Sequence, residues 1–126
     1  MGLSLKGMEL AAAALIGEVI THFGNANARL GVGDGDDAFL NTQTDLQGAN
    51  KFRQAVDVGY PTRTTRTLSW QATIGGDDGN YAWEEVGVFN AAAAGDMFCR
   101  EVESLGTKGA AAVWVLTITG TLAACA

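Results

Sequence analysis

The amino-acid sequence predicts a mainly β protein, in which an N-terminal helix is followed by an antiparallel β-sandwich or compact barrel. The chain of 126 residues has 17 glycines and one proline, and because glycine reaches positive φ without steric cost, this ratio indicates many turns between short strands. The hydrophobic period changes from helical to two after Gly24. Apolar residues make up 48% of the chain and charged residues 17%, which suits one folded core.

We therefore expect a single domain over residues 1–126, with the helix inside residues 1–24 and a β-rich body over residues 28–123. Ser4 is the candidate N-cap, and the helix is expected to end near Gly24. Its apolar face would consist of Met8, Ala11, Ala12, Leu15, Ile16, Val19 and Ile20. Glu9 and Glu18 interrupt the apolar run, so an amphipathic helix of a cytoplasmic protein is a better interpretation than a signal peptide or membrane span.

Alternating apolar and polar residues predict about six strands in the body. The clearest is Thr67–Ile74, and four more can be given bounds: 29–32, 81–90, 97–103 and 112–122, separated by loops at 33–37, 75–80, 91–96 and 104–109. The last strand is apolar on both faces, with Trp114, Leu116 and Ile118 on one and Val113 and Val115 on the other. Such a strand lies either centrally in a sandwich or against a neighbouring subunit.

The aromatic residues are assigned mainly to the core. They are Trp70, Trp83, Trp114, Phe52, Phe89 and Phe98. The further apolar residues of two-faced strands, which include Val86, Val88, Val113 and Val115, indicate that a partner covers part of the surface. Cys99 and Cys125 have no metal-binding spacing, so both are interpreted as buried free thiols.

The charge pattern excludes several classes of partner and site. A net charge of −6 and scattered basic residues argue against nucleic-acid binding; those residues are Lys51, Arg53, Arg63 and Arg66. The Asp34–Asp37 turn lacks the alternate ligand positions of an EF-hand, because Ala38 stands where a third ligand is needed, and whether it binds a cation stays open. A weaker cluster is formed by Asp77, Asp78 and Asn80.

Two other patterns fail to match known functional motifs. Gly31–Gly35 is rich in glycine, but no Lys-Ser/Thr pair follows it, so turn glycines explain it better than a phosphate loop. His22 is the only histidine, and Ser4, Ser69 and Ser104 are not in a nucleophile elbow. Glu84 and Glu85 are adjacent in a strand and should point to opposite faces. We expect no catalytic, cofactor-binding or metal-binding residues, and no enzyme activity.

Two segments resemble a pattern of bacteriophage virion proteins, including tail-collar fibre domains. Tyr81–Asn90 supplies an aromatic residue, an acidic pair and an apolar-Gly-apolar-aromatic step, and Gly95–Arg100 supplies a turn followed by a strand of the form G-x-apolar-apolar-x-R. The flanking residues 21–34 and 102–108 are similar to small proteins encoded among phage structural genes. The likeness covers about residues 21–122. We expect the motif to support the fold, with Gly87 where another backbone or ring approaches closely.

The resemblance implies a virion structural protein that assembles in the cytoplasm of the bacterial host. The compact length favours a capsid decoration (cement) protein, expected to be a homotrimer that contacts itself and the major capsid protein, with neither nucleic acid nor membrane as a partner. A neck or tail component, such as a collar or fibre-anchoring domain, is one alternative. The other is a carbohydrate-binding host-adhesion module in which Trp70, Trp83 or Tyr60 would stack on sugars if these side chains are exposed. The helix and the exposed loops are expected to form the partner surface.

Overall fold

The computed structural model describes residues 2–122, which form one α-helix and eight β-strands. In chain order these are β1 (Gly2–Leu3), α1 (Leu5–Leu15), β2 (Arg29–Gly33), β3 (Lys51–Ala55), β4 (Thr62–Thr64), β5 (Thr67–Ile74), β6 (Ala82–Phe89), β7 (Met97–Thr107) and β8 (Trp114–Thr121). The strand pairs within this range are antiparallel. The prediction of a mainly β fold with an N-terminal helix is confirmed.

The strands form two sheets that pack as a sandwich rather than a closed barrel. The larger sheet has the order β1-β7-β6-β2-β3 and the smaller has the order β4-β5-β8. Apolar side chains from both sheets form the main core, to which Trp70 and Phe98 contribute rings with centroids 5.8 Å apart. The buried members are Ala28, Leu30, Val32, Val56, Trp70, Ala72, Ile74, Trp83, Val86, Val88, Phe98, Cys99, Leu116 and Ile118.

A second apolar cluster lies on the other face of the larger sheet. It consists of Leu46, Phe89 and Met97, and Leu46 belongs to the long connection between β2 and β3, residues 34–50. We call this connection the covering loop. Because it shields β6 from solvent, β6 is buried at nearly every position. This double burial explains why the sequence of β6 does not alternate in the way that β5 does.

The aromatic assignments are confirmed. Trp70, Trp83, Phe89 and Phe98 are buried, and Phe52 and Trp114 are partly buried against the core. The four valines that the sequence places on two-faced strands differ in burial. Val86 and Val88 are core residues, whereas Val113 and Val115 are exposed. Cys99 is a buried free thiol; Cys125 lies outside the described residues.

Several strand predictions need correction. β7 continues to Thr107, where its last residues pair with Ala82 and Trp83 of β6, so the loop expected to start at Ser104 begins later. β1, β3 and β4 were not predicted, because they are short and carry no alternating apolar pattern. β8 is an edge strand of the smaller sheet, so the expected central position is wrong, and contact with a neighbouring subunit stays a prediction.

The N-terminal helix is shorter than expected. Ser4 is the N-cap and accepts a 2.8 Å hydrogen bond from the Gly7 amide, but the helix ends at Leu15 instead of near Gly24. Gly17 has a φ of +84°, the Gly17 amide donates to Ala14 O, and the Glu18 amide donates to Ala13 O. These bonds form a Schellman C-cap, which glycine favours because it adopts positive φ without a Cβ clash. No helix within residues 2–122 is long and apolar enough to cross a membrane.

The predicted apolar face of the helix does not pack on the body. Within Leu5–Leu15 only Gly7 is buried, and a Cβ at Gly7 would collide with the backbone of Phe98 in β7. Met8 and Leu15 are exposed, and so are Ile16 and Val19, which follow the helix. The helix therefore touches β7 through its smallest residue and presents its large apolar side chains to solvent.

Candidate functional site

The side chains considered for catalysis lie on separate elements. Ser4 caps α1 and its hydroxyl donates to Met97 O. Ser69 is on β5 and pairs with the Thr119 hydroxyl at 3.2 Å, and Ser104 is on β7 with its hydroxyl 3.3 Å from Glu84 Oε1. His22 is exposed in the irregular segment after the helix. Within residues 2–122, none of these hydroxyls forms a hydrogen bond with His22, so the arrangement offers no serine and base pair.

The acidic turn after β2 fixes the covering loop. Asp34 accepts hydrogen bonds from the Asn50 amide at 3.0 Å and from Asn50 Nδ2 at 2.7 Å, and these bonds hold the pKa of Asp34 below its usual range. In the second cluster, Asn80 Oδ1 accepts from Lys108 Nζ at 2.8 Å. Within residues 2–122 there is no group of three or more His, Cys, Asp or Glu side chains arranged to hold a metal ion.

The most connected polar group in the described structure is the carboxylate of Glu85. Its Oε2 accepts from Arg100 Nε at 2.7 Å and from the Gln47 amide at 2.9 Å. Its Oε1 accepts from the Gly48 amide at 2.7 Å and from the Gly35 amide at 3.3 Å. Glu85 and Arg100 are both 0% exposed. One carboxylate thus joins β6 to β7 and to both ends of the covering loop.

Glycine residues make room for this network on the outer face of the larger sheet. Gly31 is opposite Gly87, and Gly87 is opposite Arg100. A Cβ at Gly87 would lie 2.9 Å from Cys99 O and 3.3 Å from both Leu46 Cδ2 and Phe89 Cε2. The expectation that another backbone and a ring approach Gly87 closely is confirmed, and the same closeness lets the covering loop lie directly on the sheet.

Arg53 lies on the same outer face of the larger sheet, where it contacts Phe89 and the loop that follows β6. Its guanidinium lies 3.6 Å from the centroid of the Phe89 ring, and Nη1 donates to Ala91 O and Ala94 O, each at 2.9 Å. A neighbouring depression of about 450 Å³ is lined by Asp45, Leu46, Lys51, Phe52, Arg53 and Ala92–Ala94. Asp45 forms ion pairs with both Lys51 and Arg53, so one carboxylate is shared by the two cations that line the depression.

The Glu85–Arg100 pair was not identified from the sequence, although both residues belong to the segments that were singled out there, Tyr81–Asn90 and Gly95–Arg100. One feature of the sequence could have revealed the pair: Glu84 and Glu85 are adjacent in a strand with apolar residues on both faces. In such a strand one of the two carboxylates must point inward, and a buried carboxylate needs a cation. The nearest cation on the following strand is Arg100.

The outer face of the smaller sheet carries no ionisable side chain on any of its three strands. Strand register and burial place ten side chains on this face. They are Thr62, Thr64, Thr67, Ser69, Gln71, Thr73, Val115, Thr117, Thr119 and Thr121. Between β5 and β8 the side chains form a ladder, with Thr67 and Thr121 hydroxyls 2.8 Å apart and Gln71 Nε2 3.3 Å from Thr117 Oγ1. We call this surface the threonine face.

The side chains that were considered for stacking on sugars are buried or half-buried. Trp70 and Trp83 are each 2% exposed, and their indole N–H groups donate to Phe23 O and Gly79 O inside the fold. Tyr60 is half-buried. Trp70 and Trp83 therefore do not meet the condition of exposure on which their proposed stacking role depended.

Comparisons of the chain with family models, with curated proteins and with solved structures found no match.

Proposed function

We propose that this chain is a non-enzymatic structural subunit of a bacteriophage particle, with capsid decoration as its role. The observation that carries the proposal is the apolar surface at the end of α1, which the body of the protein leaves uncovered. Leu15 is 88% exposed, Ile16 75% and Val19 100%. Consecutive large apolar residues in solvent are typical of a surface that another protein covers.

The interior of the protein supports a structural role as well. Glu85 and Arg100 have the chemistry of a reactive centre, but they are closed to solvent and bind the covering loop to the sheet. Because both residues belong to the segments that resemble virion proteins, we infer that these segments serve to hold the covering loop on the larger sheet. A subunit that resists pressure inside a capsid wall benefits from such internal bonds.

A partner that covers the apolar segment gains free energy from the hydrophobic effect, at about 25 cal/mol for each Å² removed from water. A decoration protein meets such partners in many copies, because the capsid presents the same surface repeatedly. A neck or tail component would meet them in one ring. The expected homotrimer stays a prediction. The free edge of β8 favours a contact across a two-fold axis instead.

The number of copies per particle distinguishes these roles. We would measure the molar ratio of this chain to the major capsid protein in purified particles by quantitative mass spectrometry. A ratio of one to one, or a simple fraction of it, supports decoration. A ratio of a few per hundred places the chain in the neck or tail, and absence from purified particles contradicts a virion role.

Two valines provide a matched test of the partner surface. Val19 is 100% exposed beside the helix and Val58 is 97% exposed in the β3–β4 connection, so Val19→Asp and Val58→Asp should fold equally well. We expect Val19→Asp to lower incorporation into particles and Val58→Asp to leave it unchanged. Equal incorporation of both variants would contradict the assignment of the surface to the helix end.

A further inference from the structure

The free edges of the two sheets differ in how they avoid pairing with other chains. Proteins protect exposed edge strands by making them short, by charging them or by inserting bulges. β3 carries Lys51 and Arg53, and β7 beyond Arg100 carries Glu101 and Glu103. β1 has two residues, and β4 has three, one of them Arg63.

β8 has none of these protections. It is eight residues long, contains neither a charged residue nor a proline, and pairs with β5 in continuous register from Thr67 opposite Thr121 to Ile74 opposite Trp114. Within residues 2–122, β5 is the only strand hydrogen-bonded to β8. In an antiparallel pair every second residue directs its N–H and C=O away from the neighbour, so β8 offers a regular row of backbone donors and acceptors at its free edge.

We propose that β8 pairs antiparallel with β8 of a second copy of this chain across a two-fold axis. The two three-stranded sheets then become one six-stranded sheet of order β4-β5-β8-β8-β5-β4. Antiparallel self-pairing is self-complementary, because residues related by the axis lie on the same face. With the axis at Thr117, Leu116 pairs with Ile118 on the inner face, and Val115 pairs with Thr119 on the threonine face.

Charge does not oppose a second copy at this edge, although it does over most of the remaining surface. Each chain has a net charge of −6, so two copies repel one another at most of their surfaces. The residues of β8 and the threonine face bring no ionisable group to the contact, and the two copies can meet there without placing like charges together.

An apolar cleft beside β8 supports the same arrangement. Among the described residues it has a volume of about 210 Å³ and is lined by Leu3, Leu68, Trp70, Phe98 and residues 119–122. The cleft opens next to the C-terminal end of β8, between the two sheets. A strand added to β8 lies over this opening and shields its apolar walls from water.

This inference names the self-contact of the proposed virion subunit, but it can be tested in solution without the particle. We would compare wild type, Thr117→Lys and Thr64→Lys by analytical ultracentrifugation over a range of concentrations. Both threonines are exposed on the threonine face; Thr117 is at the proposed contact, and Thr64 is on β4. Circular dichroism would establish that the variants are folded.

We expect the wild type to form a dimer of twice 13.1 kDa. Thr117→Lys should raise the dimer dissociation constant roughly tenfold or more, since it places two like charges together, and Thr64→Lys should leave the constant unchanged. A monomeric or trimeric wild type, or equal constants for the two variants, would overturn the inference. These results are independent of the copy number in particles, so a virion role could fail while the dimer stands, or the reverse.

Cross-linking tests which strand lies at the contact. In a Cys125→Ala background, Thr117→Cys should be joined to its counterpart by a short bis-maleimide, whereas Thr64→Cys should not. Cross-linking at both positions, or at neither, would also contradict the β8 contact.

Discussion

At the scale of single residues, Glu84 and Glu85 show how neighbours of the same type acquire different roles. Glu84 is half-buried and interacts with Ser104. Glu85 is enclosed and accepts hydrogen bonds from three backbone amides and Arg100. The pairing of β6 with β7 is irregular between Trp83 and Glu85, and the two carboxylates enter different environments: Glu84 lies beside Ser104, and Glu85 lies beneath the covering loop.

We expect Glu85→Gln to lower the free energy of unfolding by about 3–5 kcal/mol, because it leaves the buried Arg100 charge without a counter-ion. Glu84→Gln, the matched control, should change it by no more than about 0.5 kcal/mol. Urea unfolding of both variants measures the difference. Similar midpoints would show that the buried pair does not stabilise the fold.

Cys99 illustrates the effect of burial on a reactive group. Burial raises the pKa of the Cys99 thiol to about 12, and only the thiolate reacts readily with disulfide reagents. We therefore expect Cys99 of a Cys125→Ala variant to be unreactive towards a chromogenic disulfide reagent at pH 8 in the native protein, and to react completely after denaturation. Rapid reaction of the native protein would mean that the core around Cys99 opens readily.

At the scale of elements, α1 is well terminated but weakly attached. Ser4 caps its first turn, Gly17 closes its last, and Gly7 provides the contact with β7. β6, in contrast, is paired on both sides and buried on both faces. Because local opening follows the number of contacts that must break, the helix should open far more often than β6.

Substitution of the cap tests this difference. Ser4→Ala removes the acceptor of the Gly7 amide and should destabilise the helix by about 1–2 kcal/mol. Hydrogen exchange in Leu5–Leu15 should then become faster, while exchange in β6 should change little. Ser104→Ala, on the exposed part of β7, serves as the control. Equal loss of protection in α1 and β6 would show that the helix and the sandwich unfold as one unit.

At the scale of the whole molecule, the charged side chains are separated from β8. The acidic residues lie mainly in loops and on the larger sheet, whereas β8 and the threonine face are uncharged. Two copies of charge −6 therefore repel over a distance, although their proposed contact holds no charge. Salt screens such repulsion, with a Debye length of about 10 Å at 0.1 M.

The salt dependence of association should reflect this separation. We expect dimerisation to strengthen as sodium chloride is raised from 50 to 500 mM, because the interface has no ion pairs to lose. Sedimentation equilibrium at several salt concentrations measures the trend. Weaker association at high salt would indicate a contact that depends on ion pairs, and therefore a surface other than β8.

Much of the fold was predictable from local patterns. Glycine content, the change of period and the alternation in Thr67–Ile74 were enough for the fold class, and Ser4 was identified as the N-cap. These features depend on backbone conformation and on one buried face, which residues close in the sequence determine. Gly17 could also have predicted the end of the helix, because a Schellman cap depends only on residues close in the sequence. The apolar residues after Gly17 suggested a longer helix instead.

The sequence alone determined that the chain forms an N-terminal helix and antiparallel sheets with an aromatic core. Only the tertiary structure decided that Glu85 pairs with Arg100, that the covering loop buries β6 on its second face, and that β8 lies at an edge. Each of these depends on which segments distant in the chain become neighbours. Side-chain periodicity describes the faces of one strand at a time, and it carries no information about the strand order that joins those faces.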